Sequence, residues 1–109
     1  MDNPLRRELP QGIVVLTAGT RLDSTNAADF KKRFQAEAGR VVLDMSALEF
    51  IDSMGLGALV IALKTILAKG GDIRLASLPP EVRSLVELTR LDKIFDIHET
   101  VDTAVASYA

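Results

Sequence analysis

The sequence has no cysteine and a single histidine, His98. The first absence removes thiol catalysis, thiolate metal sites and redox switching, and it agrees with a reducing compartment. The second leaves no multi-histidine metal site and little choice of geometry for a serine–histidine pair. A lone histidine flanking a helix reads as surface. There is no basic stripe either: 13 Lys and Arg stand against 15 Asp and Glu, for a formal charge of -2 with the signs mixed along the chain. Nucleic acid is therefore not an expected partner. The longest apolar run, Met54 to Leu63, stops at Lys64, far short of the roughly 20 residues that cross a bilayer. It reads as core or interface, and no membrane partner is expected. The first residues, Met-Asp-Asn-Pro-Leu-Arg-Arg, lack the hydrophobic stretch of a secretory signal, so the expected location is the cytoplasm. Repeats, linkers and low-complexity tracts are missing as well.

What remains is the material of one core. A chain of 109 residues with 48% hydrophobic and 26% charged content fits one domain, expected over 1–109, and is too short for two. At this length neither metal nor disulfide is needed for stability. Ile13 to Ala18 is β-branched and apolar between two glycines, which predicts a buried strand, with a shorter one before it at Leu5 to Leu9. Asp23-Ser24-Thr25-Asn26 supplies N-cap residue types ahead of Ala27, Phe30, Phe34 and Ala38, which share one helical face. Lys31, Lys32, Gln35 and Glu37 fall on the wet side, and Gly39 closes the helix. Val41-Val42-Leu43 is a second strand that delivers Asp44 to its end.

Ser53 is then the expected N-cap of a helix through Leu56, Leu59, Val60, Leu63, Ile66 and Leu67. Ile73 to Ala76 is a strand with Arg74 on its exposed side. Pro79-Pro80-Glu81 starts a helix with Val82, Leu85, Val86 and Leu88 inward. A turn carries Leu91, Ile94 and Phe95, and a last helix after Thr100 buries Val101, Ala104, Val105 and Tyr108. The fold class is α/β: a mixed, mostly parallel sheet of four to five strands with about four helices.

The stretch from Leu43 to Val60 is the most informative. A hydroxyl residue sits between Asp52 and Met54 at the mouth of a helix that contains Gly55 and Gly57 in its first turns. Each glycine costs about 1 kcal/mol of helix propensity relative to alanine. One explanation is tight packing of the helix on the sheet, with Ser53 as a cap and nothing more. The other is a flat surface around Ser53 on which another protein's active site settles.

Asp52-Ser53-Met54-Gly55-Leu56-Gly57 resembles the D-S-x-G-L-G motif of the bacterial anti-sigma factor antagonists, which are built on the STAS domain. Leu43-Asp44-Met45-Ser46 is similar to that family's strand ending in D-L-S, and Leu22-Asp23-Ser24-Thr25-Asn26-Ala27 to its L-D-x-x-x-A helix start. Gly70-Gly71, the strand to Ala76 and Leu88 to Phe95 look like its closing segments. The resemblance thus covers nearly the whole chain. It implies a STAS-like domain and a partner-switching cycle. The unmodified protein would bind an anti-sigma factor that is also a GHKL-type serine kinase, freeing a sigma factor. The kinase would phosphorylate Ser53, the modified form would let go, and a PPM-type serine phosphatase would reset it. Asp23, Ser24, Thr25, Asp52, Met54, Gly55, Leu56 and Gly57 would form the docking surface, with Met54 and Leu56 the exposed apolar contacts.

Two departures stand out. Thr20 occupies a position that is often glycine in the family, and Met54 replaces a more usual Ser, Thr or Ala, which leaves Ser53 as the only hydroxyl in the motif. No cofactor is implied, and the chain would be a substrate rather than an enzyme, monomeric when free or weakly self-associating. If the fold brings Asp23 and Asp52 together, the docking patch is acidic, and a phosphate there would expel a partner that already neutralises two carboxylates.

Other readings fare worse. A receiver domain with Asp44 as phosphoacceptor needs further acidic residues to hold magnesium at the end of the first buried strand, where Leu16-Thr17-Ala18-Gly19 stand. A small enzyme lacks a base beside Ser53. Within the same fold, a module controlling type III secretion or a signalling phosphatase, or a separate subunit of a transport system, remains the alternative.

Overall fold

Val41, Val42 and Leu43 are all fully buried, so their strand is covered on both faces, as the centre of a parallel sheet requires. The computed structural model describes residues 6–108. In chain order its strands are β1 (Arg6–Leu9), β2 (Ile13–Thr17), β3 (Arg21–Leu22), β4 (Arg40–Asp44), β5 (Phe50–Ile51), β6 (Asp72–Ala76) and β7 (Asp96–His98). The α-helices are α1 (Ala27–Gln35), α2 (Ser53–Ala68), α3 (Pro80–Leu88) and α4 (Val101–Ala106). Leu5, the expected first residue of β1, lies outside the described residues.

The main sheet runs β1-β2-β4-β6-β7. β1 pairs antiparallel with β2, and every later pair is parallel. Mixed, mostly parallel α/β is thus the architecture. Helices α1, α2 and α3 supply Phe34, Leu59, Ile66 and Val86 to one face, where they meet Val41, Leu43 and Leu75. The opposite face is a smaller cluster of Ile13, Val15, Val42 and Ala76 under Ala104 of α4. The order of the described strands never reverses, so among the described residues the sheet has no switch point of the kind at which open α/β sheets bind small ligands.

Several expectations need correction. Glu37 is buried, not wet: its carboxylate takes Arg6 Nε at 2.7 Å. Helix α1 ends at Gln35 rather than at Gly39, and Ala38 is consequently exposed; Gly39 instead adopts a positive φ of 100° in the turn before β4. Leu88 does not point inward but is 81% exposed, and Leu67 is also on the surface. His98 belongs to β7, a strand that its three residues were too few to announce. Arg74 is not a free strand residue, since its guanidinium lies 4.1 Å from the Tyr108 ring centre and donates to Ser107 Oγ.

A second, two-stranded sheet was not legible in the sequence. β3 and β5 pair parallel, Arg21 opposite Phe50 and Leu22 opposite Ile51. This pairing clamps the loop before α1 against the loop before α2, the two places where the motif residues lie.

Candidate functional site

Helix α2 starts because Asp52 caps it. Asp52 has extended φ and ψ of -120° and -172°, and its carboxylate accepts the Gly55 N–H at 2.9 Å while its carbonyl accepts that of Leu56 at 2.9 Å. The cap is therefore Asp52 and not Ser53. An aspartate caps as well as a serine, and the extended residue is the one before the motif serine. Ser53 becomes the first helical residue, exposed, and its hydroxyl makes no hydrogen bond among the described residues. Freed from capping, that hydroxyl is open to chemistry at the positive end of a 16-residue helix dipole.

The two glycines have different reasons. A Cβ on Gly55 would stand 2.0 Å from the Leu22 carbonyl oxygen and 3.0 Å from Ile51 Cγ1, so Gly55 lets α2 press on the β3–β5 pair. A Cβ on Gly57 would meet nothing within 4 Å. Gly57 is exposed, so packing does not require a glycine there. Close packing on the sheet therefore accounts for Gly55 and not for Gly57.

Of the two apolar residues expected on the surface, Met54 is 55% exposed whereas Leu56 is only 9% exposed and belongs to the main core. One step along a helix turns the side chain by about 100°, and the residue two past Met54 faces the sheet.

Asp23 also departs from expectation. It is 2% exposed, and its carboxylate is held by Arg21 Nε at 2.6 Å, Thr25 Oγ1 at 2.5 Å and the Thr25 N–H at 2.9 Å. The Thr25 hydroxyl, foremost, and the Arg21 guanidinium hold its carboxyl below the ordinary aspartate range. Asp23 organises the loop: its backbone carbonyl receives Ala27 N–H, while Asn26 Oδ1 accepts the Asp23 N–H. An acidic patch made of Asp23 and Asp52 therefore does not form, because Arg21 neutralises the first. Ser24 and Thr25 are exposed on that loop. Arg21 went unnoticed in the sequence, although its place two residues before Asp23 puts both side chains on one side of an extended segment. Phe50, half exposed beneath the Arg21 guanidinium at 5.6 Å, was also missed.

Ser53, Met54 and Gly57 are thus exposed on α2 with Asp52 half-buried before them, and Ser24 and Thr25 are exposed on the loop that follows β3. Asp44, the rival phosphoacceptor, accepts the Ser46 N–H at 3.0 Å, and no three metal-ligating side chains converge among the described residues. None of the described helices is long and apolar enough to cross a membrane.

The family model of the STAS domain matches residues 5–104. The chain belongs to the STAS domain family. Within this family it is similar to a Thermotoga maritima protein assigned as an anti-sigma factor antagonist, with 35% identity over 98 residues that cover 85% of this chain and 87% of the relative. A solved anti-sigma factor antagonist from Mycobacterium paratuberculosis superposes with a TM-score of 0.84 at 26% identity, covering 98% of this chain and 93% of the other. SpoIIAA, an anti-sigma factor antagonist solved in unphosphorylated form, shares the fold with a TM-score of 0.81 at 17% identity, over 97% of this STAS chain and 96% of its own. The same protein, described as a Bacillus cell fate determinant, superposes in its phosphorylated form at 0.74, again at 17% identity and over 98% and 100% of the two chains.

Proposed function

We propose that this STAS protein is a phosphorylation-controlled anti-sigma factor antagonist. In the unmodified state the surface of Ser53, Met54 and Gly57 binds an anti-sigma factor that is also a GHKL-type serine kinase, and a sigma factor goes free. Transfer of phosphate to Ser53 releases the kinase, and a PPM-type serine phosphatase restores the binding form. The protein is the substrate in this cycle, which runs in the cytoplasm; ATP and magnesium come with the kinase.

The observation that carries this reading is the division of labour in the first turn of α2. Asp52 does the capping and Gly55 the packing, so Ser53 is exposed and uncommitted beside a bare glycine. A phosphate on Ser53 adds about -1.5 to -2 charges near the Asp52 carboxylate. The fold tolerates it, since helix N-terminal N–H groups favour an anion. The partner does not, since a hundredfold loss of affinity requires only about 2.8 kcal/mol, within the cost of juxtaposed like charges. With Asp23 neutralised, Asp52 and the bulk of the phosphate account for expulsion.

The test is a binding assay with wild type, Ser53→Ala and Ser53→Asp against GHKL-type kinases of the same organism, with and without Mg-ATP, and mass spectrometry of the modified residue. Capture by wild type and Ser53→Ala but not by Ser53→Asp is expected, with phosphate on Ser53. Equal capture by all three would sink the proposal, and phosphate on Ser46 or Thr25 would move the site.

A further inference from the structure

Beside the phosphoacceptor surface, on the side of β5 and α3, the protein has a groove of about 260 Å³ lined by Glu49, Phe50, Ile51, Glu81, Val82 and Leu85. Its floor is apolar. Phe50 is half exposed, and Leu88 lies on the same stripe of α3 as Glu81 and Leu85, at steps of four and three, with most of its surface in water. Phe50 is thus a large apolar side chain on the wall of the groove that the core does not account for, and Leu88 continues the α3 stripe just past the lining.

The rim is acidic on both sides. Glu49 and Glu81 are exposed and belong to no ion pair among the described residues. None of the six lining residues is basic. The nearest arginine above Phe50, Arg21, has its charge taken by Asp23. An occupant must therefore bring apolar surface for Phe50 and Leu85 together with positive charge for both rims.

We propose that this groove docks a helical segment of a protein partner whose one face carries leucine-like residues bordered by lysine or arginine. An amphipathic helix laid in a groove supplies apolar anchors at i, i+3, i+4 and i+7, and its flanking cations reach carboxylates on either wall. The proposal stands on the groove alone and is unaffected if Ser53 is not the modified residue.

The test uses the full chain, isotope-labelled for NMR, titrated with a synthetic amphipathic peptide of leucine and lysine at helical spacing. The same peptide with glutamate in place of lysine serves as comparison. Saturable shifts confined to residues 49–51 and 81–88 are expected with the lysine peptide and none with the glutamate peptide. The double variant Glu49→Lys/Glu81→Lys should bind at least tenfold more weakly, whereas Asp29→Lys/Asp102→Lys, with the same net charge change away from the groove, should bind as wild type does. Unperturbed spectra of the free variants show that they fold. Shifts scattered over the surface or centred on Ser53, equal weakening by the two double variants, or binding of the glutamate peptide would each overturn the proposal.

Discussion

Gly55 and Leu22 are in direct backbone contact: the Cβ that Gly55 lacks would lie 2.0 Å from the Leu22 carbonyl oxygen. This one approach ties the start of α2 to the small β3–β5 sheet and sets the height at which Ser53 emerges. Gly55→Ala is expected to destabilise by about 1–3 kcal/mol, the range for overpacking. Gly57→Ala is expected to gain up to about 1 kcal/mol of helix propensity while weakening the proposed partner complex, because a methyl group would rise from the exposed face of α2. Urea unfolding of the two variants, with opposite shifts of the midpoint, checks the contrast.

Asp52 and Ser53 should separate in the same way. Asp52→Ala removes the side chain that accepts the Gly55 N–H and should cost about 1 kcal/mol, the usual value of a lost cap. Ser53→Ala should stay within about 0.5 kcal/mol of wild type, as surface changes do. If Ser53→Ala proved the costlier substitution, the serine would be a structural residue after all.

The Asp23 carboxyl sits below its ordinary range because the Thr25 hydroxyl and Arg21 hold the charged form. A lowered folded-state pKa means that this contribution to stability is present above the unfolded-state value of about 3.9 and is lost as pH falls through the folded one. Thr25→Val should raise the Asp23 pKa in an NMR titration and flatten the loss of stability below about pH 4. A titration curve for Asp23 unchanged by this substitution would contradict the assignment.

Tyr108 fastens α4 to the sheet. Its hydroxyl donates to the Val41 carbonyl at 2.9 Å, Arg74 stacks on its ring, and burial, foremost, pushes its pKa up. A helix of six residues does not persist without such tertiary support. Tyr108→Phe should cost about 1 kcal/mol for the hydrogen bond. Tyr108→Ala should cost more and speed amide exchange selectively over 101–106, with β4 protection retained.

By itself the sequence determined the period of each long element and the order of the motif residues. Val41 to Leu43 had to be a buried strand because three consecutive apolar β-branched or leucine residues leave no wet face, and Asp52 to Gly57 had to open a helix because apolar spacing at three and four begins there. Only the tertiary structure decided which motif residues face outward. Met54 and Leu56 look alike in a sequence, yet helical rotation sends one to solvent and the other to the core. Asp23 reads as an exposed acid, yet Arg21 two residues before it takes its charge, and the loop that carries both is fixed by the β3–β5 pairing, a contact between segments nearly thirty residues apart that no local pattern encodes. The same pairing explains Gly55, whose missing side chain answers a carbonyl contributed from the other loop. Local propensity is written residue by residue, whereas charge neutralisation and close approach are properties of pairs, and those pairs exist only once the chain has folded.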